Sequence, residues 1–414
     1  QALLGHIGCF RSPVTYEMLK ELADPDDESA KHLKTDLRKL VARGLLHYDI
    51  NQARFDLHPI VRRYAYDRLA SADRTAAHTR LRDYFAAVPK AEKVTSLEDL
   101  APVIELYHHT VRAGQLDEAY WLYCDRLQET LYYQLGAYQL CMDLLRSLFS
   151  DGEDGPPRLK DERVQSLALN ELANCCSYIG QPQLALPLYV QSIAIDEKRD
   201  DRMNVAIVRR NVAGAQLAIG ELRAAEADLH CSIALCREGD DEFSETTGHS
   251  EQGRLLACRG VYAVSETELA AASAIFEEQG EVQSQGIVCA YRAQLALLLL
   301  RSNSDSASDS SQRALESAGR ALELADETAR TRFPYERDYV RAHWLLGAAH
   351  RVAAQADEAD RHLHEALERC RRISLVESEA DILIDLARLR VATGAAEEAR
   401  RLAEEALVIT ERSG

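Results

Sequence analysis

Nothing in this chain of 414 residues approaches the ~20 consecutive apolar residues that a bilayer-spanning helix needs. The apolar run at residues 295–300 has only the length of a helix core, and no membrane partner is expected. Glycine and proline are scarce, at 20 and 10 residues. They fall mostly between stretches rich in alanine, leucine, glutamate and arginine, a composition that points to an all-helical protein. Basic charge is in deficit: 49 Lys and Arg face 67 Asp and Glu, and the formal net charge of −18 opposes nonspecific contact with nucleic-acid phosphates. No Gly-x-x-x-x-Gly-Lys-Ser/Thr occurs, nor any Gly-Lys pair, so no P-loop cradles a triphosphate and this chain should not hydrolyse ATP alone.

Catalytic and metal-binding patterns are also missing. The ten cysteines lie singly or as Cys175-Cys176, not in a disulfide framework, which favours a reducing cytoplasm. His230, Cys231 and Cys236 are near one another, as are His362, His364 and Cys370, but neither set has the paired spacing of a zinc site. No metal site is expected, and Tyr107-His108-His109 reads as part of a packing helix. No Ser/His/Asp or Cys/His arrangement can be assembled, so an enzyme is not expected. No signal peptide is visible. The chain starts without methionine and inside a helix, at Gln1-Ala2-Leu3-Leu4, which reads as a piece of a longer protein.

What is present is a period. Leu172-Ala173, Gly180, Ala185 and Tyr189 are followed 40 residues later by Val212-Ala213, Gly220, Ala225 and Leu229. Leu346-Gly347, Ala359, Leu363 and Ala366 are matched, again at 40, by Leu386-Ala387, Ala399, Ala403 and Ala406. Such a period means stacked helix pairs presenting a surface for binding. One unit gives the reason. Leu172-Ala173 sets a large and a small residue where two helices cross, Gly180 tolerates the left-handed conformation of a helix end, and Pro182 suits a first-turn position. Ala185 lets the second helix come close, and Tyr189 fills the gap one turn later.

These residues resemble the tetratricopeptide repeat (TPR), in the lengthened form of bacterial regulators. The resemblance is strong for residues 169–197, 209–238, 342–371 and 381–412. It is weaker over 253–325, where Ser265 is read as replacing the turn glycine. Upstream, Leu106-Tyr107, Gly114, Ala119 and Tyr123 look like a degenerate unit, and Gly136, Cys141 and Leu145 like the start of another. Three stretches read as exposed linkers: 150–157, an acidic inter-repeat loop at 238–250, and a disordered insertion at 302–311.

The first 90 residues differ. After Ser12-Pro13, residues 14–23 read as a short amphipathic helix, and Asp24-Pro25-Asp26-Asp27 as an acidic turn. Residues 29–43 form a second helix with Leu33, Leu37, Leu40 and Val41 on one face, ended by Gly44. Residues 45–49 and 54–57 form a β-hairpin about Asn51-Gln52. Helix, helix, hairpin is a winged helix, and His58-Pro59 opens another helix over 60–69.

Phe55-Asp56-Leu57-His58-Pro59-Ile60-Val61-Arg62 resembles the winged-helix segment of STAND signalling ATPases, the family that includes NB-ARC proteins. In that family the histidine of a Met-His-Asp-like motif contacts the β-phosphate of ADP and holds the inactive state closed. His58 stands at the matching position, with Leu57 before it and Pro59 after it in departure from the motif. An imidazole N–H at a helix N-terminus suits a phosphate on physical grounds too, and a capping histidine is the plainer alternative.

The resemblance implies an all-α architecture with a small β-wing: a winged-helix domain at 1–70, a helical adaptor at 71–160 and a right-handed TPR-like α-solenoid at 161–414. It implies the ligand-sensing and autoinhibitory part of a bacterial, cytoplasmic STAND-type ATPase, with no cofactor of its own. ADP or ATP with Mg²⁺ would belong to a nucleotide-binding domain elsewhere in the same protein, and activation would bring oligomerisation. In the repeat family the inner surface is lined by the first helix of each pair, at its second, fifth, ninth and twelfth positions. That frame gives Asn170, Asn174, Ser177, Arg210, Arg259, Trp344, Arg351 and Arg388 as a groove for a protein or peptide. Asparagine can clamp a backbone, guanidinium favours carboxylate or phosphate, and an exposed indole can anchor an apolar side chain. The rival is a transcription regulator whose winged helix binds DNA through Lys31, His32, Lys34, Arg38, Lys39 and Arg43 while the repeats receive an inducer. DNA is the weaker expectation, because residues 1–90 carry only 15 Lys and Arg against 12 Asp and Glu. A constitutive TPR scaffold is a third.

Overall fold

Elements follow one another as these patterns dictate over the described residues of the computed structural model, 2–22, 28–89, 94–149, 155–302 and 307–413. Contacts divide the chain into two units, Gln1–Glu129 and Thr130–Gly414.

In the first unit α1 (Ala2–Gly8), β1 (Val14–Thr15), α2 (Tyr16–Leu22) and α3 (Glu28–Ala42) precede a hairpin of β2 (His47–Asp49) and β3 (Arg54–Asp56). The strands form one antiparallel sheet in the order β1-β3-β2, which with the helices gives the element order of a winged helix. The helix expected from Val14 begins instead at Tyr16. Val14 and Thr15 are β-branched and pair with Phe55 and Arg54, while Thr15 Oγ1 accepts the Met18 N–H at 3.4 Å and starts the helix. The hairpin turn is built by Asp49, whose carboxylate accepts the N–H groups of Asn51 (2.8 Å) and Gln52 (3.1 Å). Leu33 and Leu37 of α3 join Ile7, Phe10, Val14, Leu19, Leu46 and Leu57 in the core. The acidic turn expected at Asp24-Pro25-Asp26-Asp27 lies outside the described residues. There follow α4 (Pro59–Asp67), α5 (Ser71–Ala86), α6 (Ala101–Arg112) and α7 (Leu116–Tyr123). Gly114, at φ +82°, turns α6 into α7, and Leu106, Tyr107, Ala119 and Tyr123 are buried between them.

In the second unit Gly136 (φ +60°) precedes α8 (Tyr138–Arg146). Six helical hairpins then stack: α9 (Glu162–Tyr178) with α10 (Pro182–Lys198), α11 (Arg202–Ala218) with α12 (Leu222–Glu238), and α13 (Glu242–Cys258) with α14 (Tyr262–Gln279). The rest are α15 (Val282–Arg301) with α16 (Ala307–Thr331), α17 (Glu336–Val352) with α18 (Ala356–Arg372), and α19 (Val376–Ala392) with α20 (Ala396–Ser413). Asp161, Asp201 and Asp241, themselves 40 apart, each cap the first helix of a pair by accepting a backbone N–H.

Two expectations are corrected here. The third hairpin is not degenerate at its turn: Gly260 turns the chain at φ +79°, in phase with Gly180 and Gly220. Ser265 instead holds the small-residue position of Ala185 and Ala225, fully buried, with its hydroxyl donating to Gly253 O at 2.7 Å. Gly253 is bare for a packing reason, since a Cβ there would lie 2.7 Å from Leu269. Nor is 238–250 a long loop, because α12 runs to Glu238 and α13 starts at Glu242. Its polar residues reflect capping by Asp241 and a helix rich in Ser and Thr. Of the other two expected linkers, 150–154 and 303–306 lie outside the described residues, and α16 already runs from Ala307.

The solenoid completes a turn. Helix α9 of the first pair packs beside α19 of the last. Gly136 abuts Ile373, and a Cβ on Gly180 would lie 2.5 Å from Val376 Cγ1 and 3.1 Å from Ser413 Oγ. Arg337 lies over the Tyr178 ring at 4.2 Å and the Tyr132 ring at 6.0 Å, and Tyr133 meets Tyr335 edge-on at 6.1 Å.

Gly180 and Gly220 separate two costs. A Cβ on Gly220 (φ +79°) meets nothing within 4 Å, so Gly220→Ala should cost only the left-handed backbone term, about 1–2 kcal/mol. Gly180→Ala adds the collision with Val376 and should cost about 1–3 kcal/mol more in urea denaturation. Equal losses would mean that the first and last hairpins do not touch.

Candidate functional site

The turn of the solenoid encloses a channel of about 590 Å³, lined mainly by the first helix of each hairpin. Its lining follows the period. Asn211, Glu251 and Tyr291 recur at 40, and after the longer fourth hairpin the same column continues at Leu345 and Asp385. A second column runs Asn174, Gly214, Arg254, Gln294, with Arg388 further on. The helix period sets these columns on one face, and stacking turns each into a stripe across the channel wall.

Five expected groove residues line the channel: Asn174, Ser177, Arg210, Trp344 and Arg388. Three do not. Asn170 is turned to its neighbour, its Oδ1 accepting Asn211 Nδ2 at 3.0 Å. Arg259 caps the end of α13, just past the helix face, and is ion-paired with Glu226. Arg351 stands behind the wall, donating to Asp385 Oδ1 at 3.1 Å. Trp344 is also no free anchor, because its Nε1–H donates to Asp385 Oδ2 at 3.0 Å. Asp385 is the hub of this wall: nearly buried, it receives Trp344, Arg351 and Arg388 (3.0 Å), with Arg301 at 3.8 Å.

Several lining residues were not anticipated, among them Arg254, Arg301, Arg337, Arg341, Asp381 and Tyr291. Stepping by 40 from Asn174 reaches Arg254, and from Asn211 reaches Tyr291, so the period carried that signal. Tyr291 is flanked by two guanidinium groups, Arg254 and Arg341, each 5.4 Å from its ring centre, while its hydroxyl donates to Glu251 at 2.5 Å.

In a chain of net charge −18 the channel is lined by six arginines against four carboxylates. Two of the arginines have no carboxylate partner among the described residues. Arg210 has a buried guanidinium nitrogen, Nη1, with no hydrogen bond, and Arg337 is held by tyrosine. The same channel is lined by Glu377, Asp381 and Asp385 of α19. Asp381 touches the water of the channel yet has protein around it. This desolvation, then the charge of Asp385, pushes it up to about 6 against the pull of Arg254 and Arg301.

His58 lies in the first unit, exposed at the start of α4. Its Nδ1 accepts the Ile60 N–H at 3.3 Å, so it caps the helix. A ring whose Nδ1 accepts carries its proton on Nε2, which leaves Nε2–H as a donor.

Neither a family model nor a curated protein matches the chain. Among solved structures it is similar to a Rap protein complexed with Competence and Sporulation Factor, at 14% identity over 96% of each chain and a TM-score of 0.53. It is similar to the Rap conjugation gene regulator of the plasmid pLS20 in complex with the Phr* peptide, at 12% identity over 100% of this chain and 96% of that one, with a TM-score of 0.51. A STAND protein with a tetratricopeptide repeat sensor from Pyrococcus horikoshii aligns at 14% identity and a TM-score of 0.45, over 99% of this chain and 56% of that one. The chain thus spans little more than half of that protein. At such identities the two Rap likenesses bear on the fold alone, a TPR-like α-solenoid.

The raised carboxyl of Asp381 fixes a pH dependence. Its folded value of about 6 exceeds the unfolded value of ~3.9, so its contribution to stability is fully present below pH ~4 and is lost as pH rises through 6. Asp381→Asn should therefore stabilise the fold at pH 7 by about 1 kcal/mol, after allowance for solvent in the channel, and the gain should vanish near pH 4. Denaturation curves at the two pH values read this directly.

Proposed function

We propose that this chain is the ligand-sensing part of a STAND-type signalling ATPase, with a peptide or a segment of a protein received in the solenoid channel. The observation that carries the reading is the presence in one channel of Arg210 and Arg337, cations without carboxylate partners among the described residues, and of the acidic Asp381 and Asp385. A free peptide end or acidic side chain satisfies the first, and an amino group or basic side chain the second. Asn174 supports the same reading. Its Oδ1 accepts the Tyr189 hydroxyl at 2.7 Å, which orients its amide and leaves Nδ2 as a donor toward a peptide carbonyl. The two Rap structures carry a factor or a peptide by their own description, which agrees with such a ligand.

The relay is the second part of the proposal. His58 Nε2–H, fixed by the Nδ1 cap, would give one hydrogen bond to the β-phosphate of ADP held by a nucleotide domain of the same protein. ADP and Mg²⁺ would keep that domain closed, and this chain's residues contribute only that contact and the apposed wing. A ligand in the channel opens the switch to the extent that it binds the open state more tightly than the closed one, and the open state then oligomerises. The DNA-binding alternative draws on α3 and its end, where His32, Lys34, Arg38 and Arg43 are exposed. Lys39 is paired with Asp36 at 2.9 Å, and the overall charge opposes it.

Selection of a displayed random-peptide library on the chain should enrich short peptides bearing a carboxylate. Arg210→Glu should weaken their binding at least about tenfold, which is about 1.4 kcal/mol, whereas Arg259→Glu, off the channel, should not. Equal binding by the two variants would remove the channel as the site. In the intact parent His58→Ala should speed ADP release and raise resting activity, and unchanged nucleotide retention would contradict the relay.

A further inference from the structure

Helices α17 and α18 bring together three side chains that the sequence holds apart. One ring nitrogen each of His350 and His362 and a carboxylate oxygen of Glu358 all lie within 4.8 Å of one another. His350 is in the last turn of α17, while Glu358 and His362 are four apart on the first turns of α18, so a short helical turn places all three on one side of the hairpin. In sequence His362 stands near His364 and Cys370. His364 instead bonds back to Asp360 O, and the Cys370 thiol donates to Leu375 O at 2.9 Å.

Each histidine is oriented from behind. His350 Nδ1 is 2.6 Å from Gln355 Oε1, an acceptor that keeps the proton on Nδ1 and the lone pair on Nε2. His362 Nε2 is 2.9 Å from Arg361 Nη2, which can only donate. His362 therefore accepts at Nε2 and carries its proton on Nδ1, which donates to His343 Nδ1 at 2.8 Å. Partners of this kind, bonded to the far nitrogen of a ligating imidazole, fix its tautomer and direction in metal sites. The same Arg361 nitrogen also bonds the Glu358 carboxylate. A positively charged nitrogen thus already sits between the carboxylate and an imidazole lone pair.

We propose that His350, Glu358 and His362 bind one Zn²⁺, displacing the Arg361 side chain, with a fourth position open to water. Two imidazoles and a carboxylate are a borderline donor set that suits zinc and does not suit Mg²⁺ or Ca²⁺, which take oxygen ligands. Bonds of about 2.0–2.1 Å require the three donor atoms to draw together, and Glu358 and Arg361 have the freedom for it, with side chains 51% and 62% exposed. The ion would clamp the turn between α17 and α18. Helix α17 also carries Arg337, Arg341 and Trp344 on the channel wall, so the clamp would hold that wall in place.

The test uses the full chain, stripped with EDTA, titrated with Zn²⁺ against a chromophoric chelator at pH 7. Thirteen histidines and ten cysteines give a background, so the difference between variants is what is read. One equivalent is expected to bind at least tenfold more tightly in the wild type than in Glu358→Gln or in His350→Gln, both at accessible positions, with the fold checked by circular dichroism. Zn²⁺ should raise the melting temperature of the wild type and not of Glu358→Gln, and a hundredfold excess of Mg²⁺ should not compete. Arg361→Ala, which removes the competing cation, should bind several-fold more tightly. Wild-type-like binding by both ligand variants, or weaker binding by Arg361→Ala, would overturn the site.

Discussion

The close approach of helices at bare or nearly bare residues is the constraint on which the rest of this molecule depends. Ala185, Ala225, Ser265, Ala359 and Ala399 let the second helix of a pair lie against the first, and Gly253 and Gly347 answer from the other side where a leucine needs the space. Six hairpins built this way, stacked one on the next, bring α9 against α19. Gly180 is then bare twice over, for its backbone and for Val376 of the last pair. Closure creates the channel and so decides which arginines face water alone and which find carboxylates.

The solenoid, its period and most of its turns could be read from the sequence because spacing of small residues and glycines is a local signal. Ser265 is ambiguous in sequence because a serine can fill either a turn or a crossing, and Gly260 in phase decides for the crossing. The 238–250 stretch looked like a loop because its helix is polar, and its cap, Asp241, lies inside the segment. The site was partly legible. Arg210 and Trp344 follow from the repeat frame, and so do the positions of Arg341 and Asp381, 40 apart on the lining face; what the frame does not carry is that Arg337 lies over Tyr178 of the first hairpin, which needs the ends of the solenoid to meet. Asp385 stands in a periodic column too, but its role as a hub lies in the residues that converge on it from α15, α17 and α19, which spacing does not show.

The channel and the histidine cluster share a principle. In each, cations or lone pairs are held where their natural partners are absent or replaceable: Arg210 and Arg337 without carboxylates among the described residues, and His362 and Glu358 joined by an exposed arginine. The first arrangement favours an anionic group of a peptide and the second a metal cation, and both meet on α17. Under the proposed sensing role, small changes at this one helix would reach both, since it contributes Arg337 to the closure and Trp344 to the channel wall.

Whether the solenoid closes in solution is the most direct test of this account. Genetically encoded spin labels at Gln181 and Arg412, beside the Gly180 and Ser413 contact, report the distance between the first and last hairpins by pulsed electron resonance. A single short, narrow distance distribution in the free chain is expected. A long or broad distribution would mean an open solenoid, with no enclosed channel and no basis for the ligand chemistry argued from it.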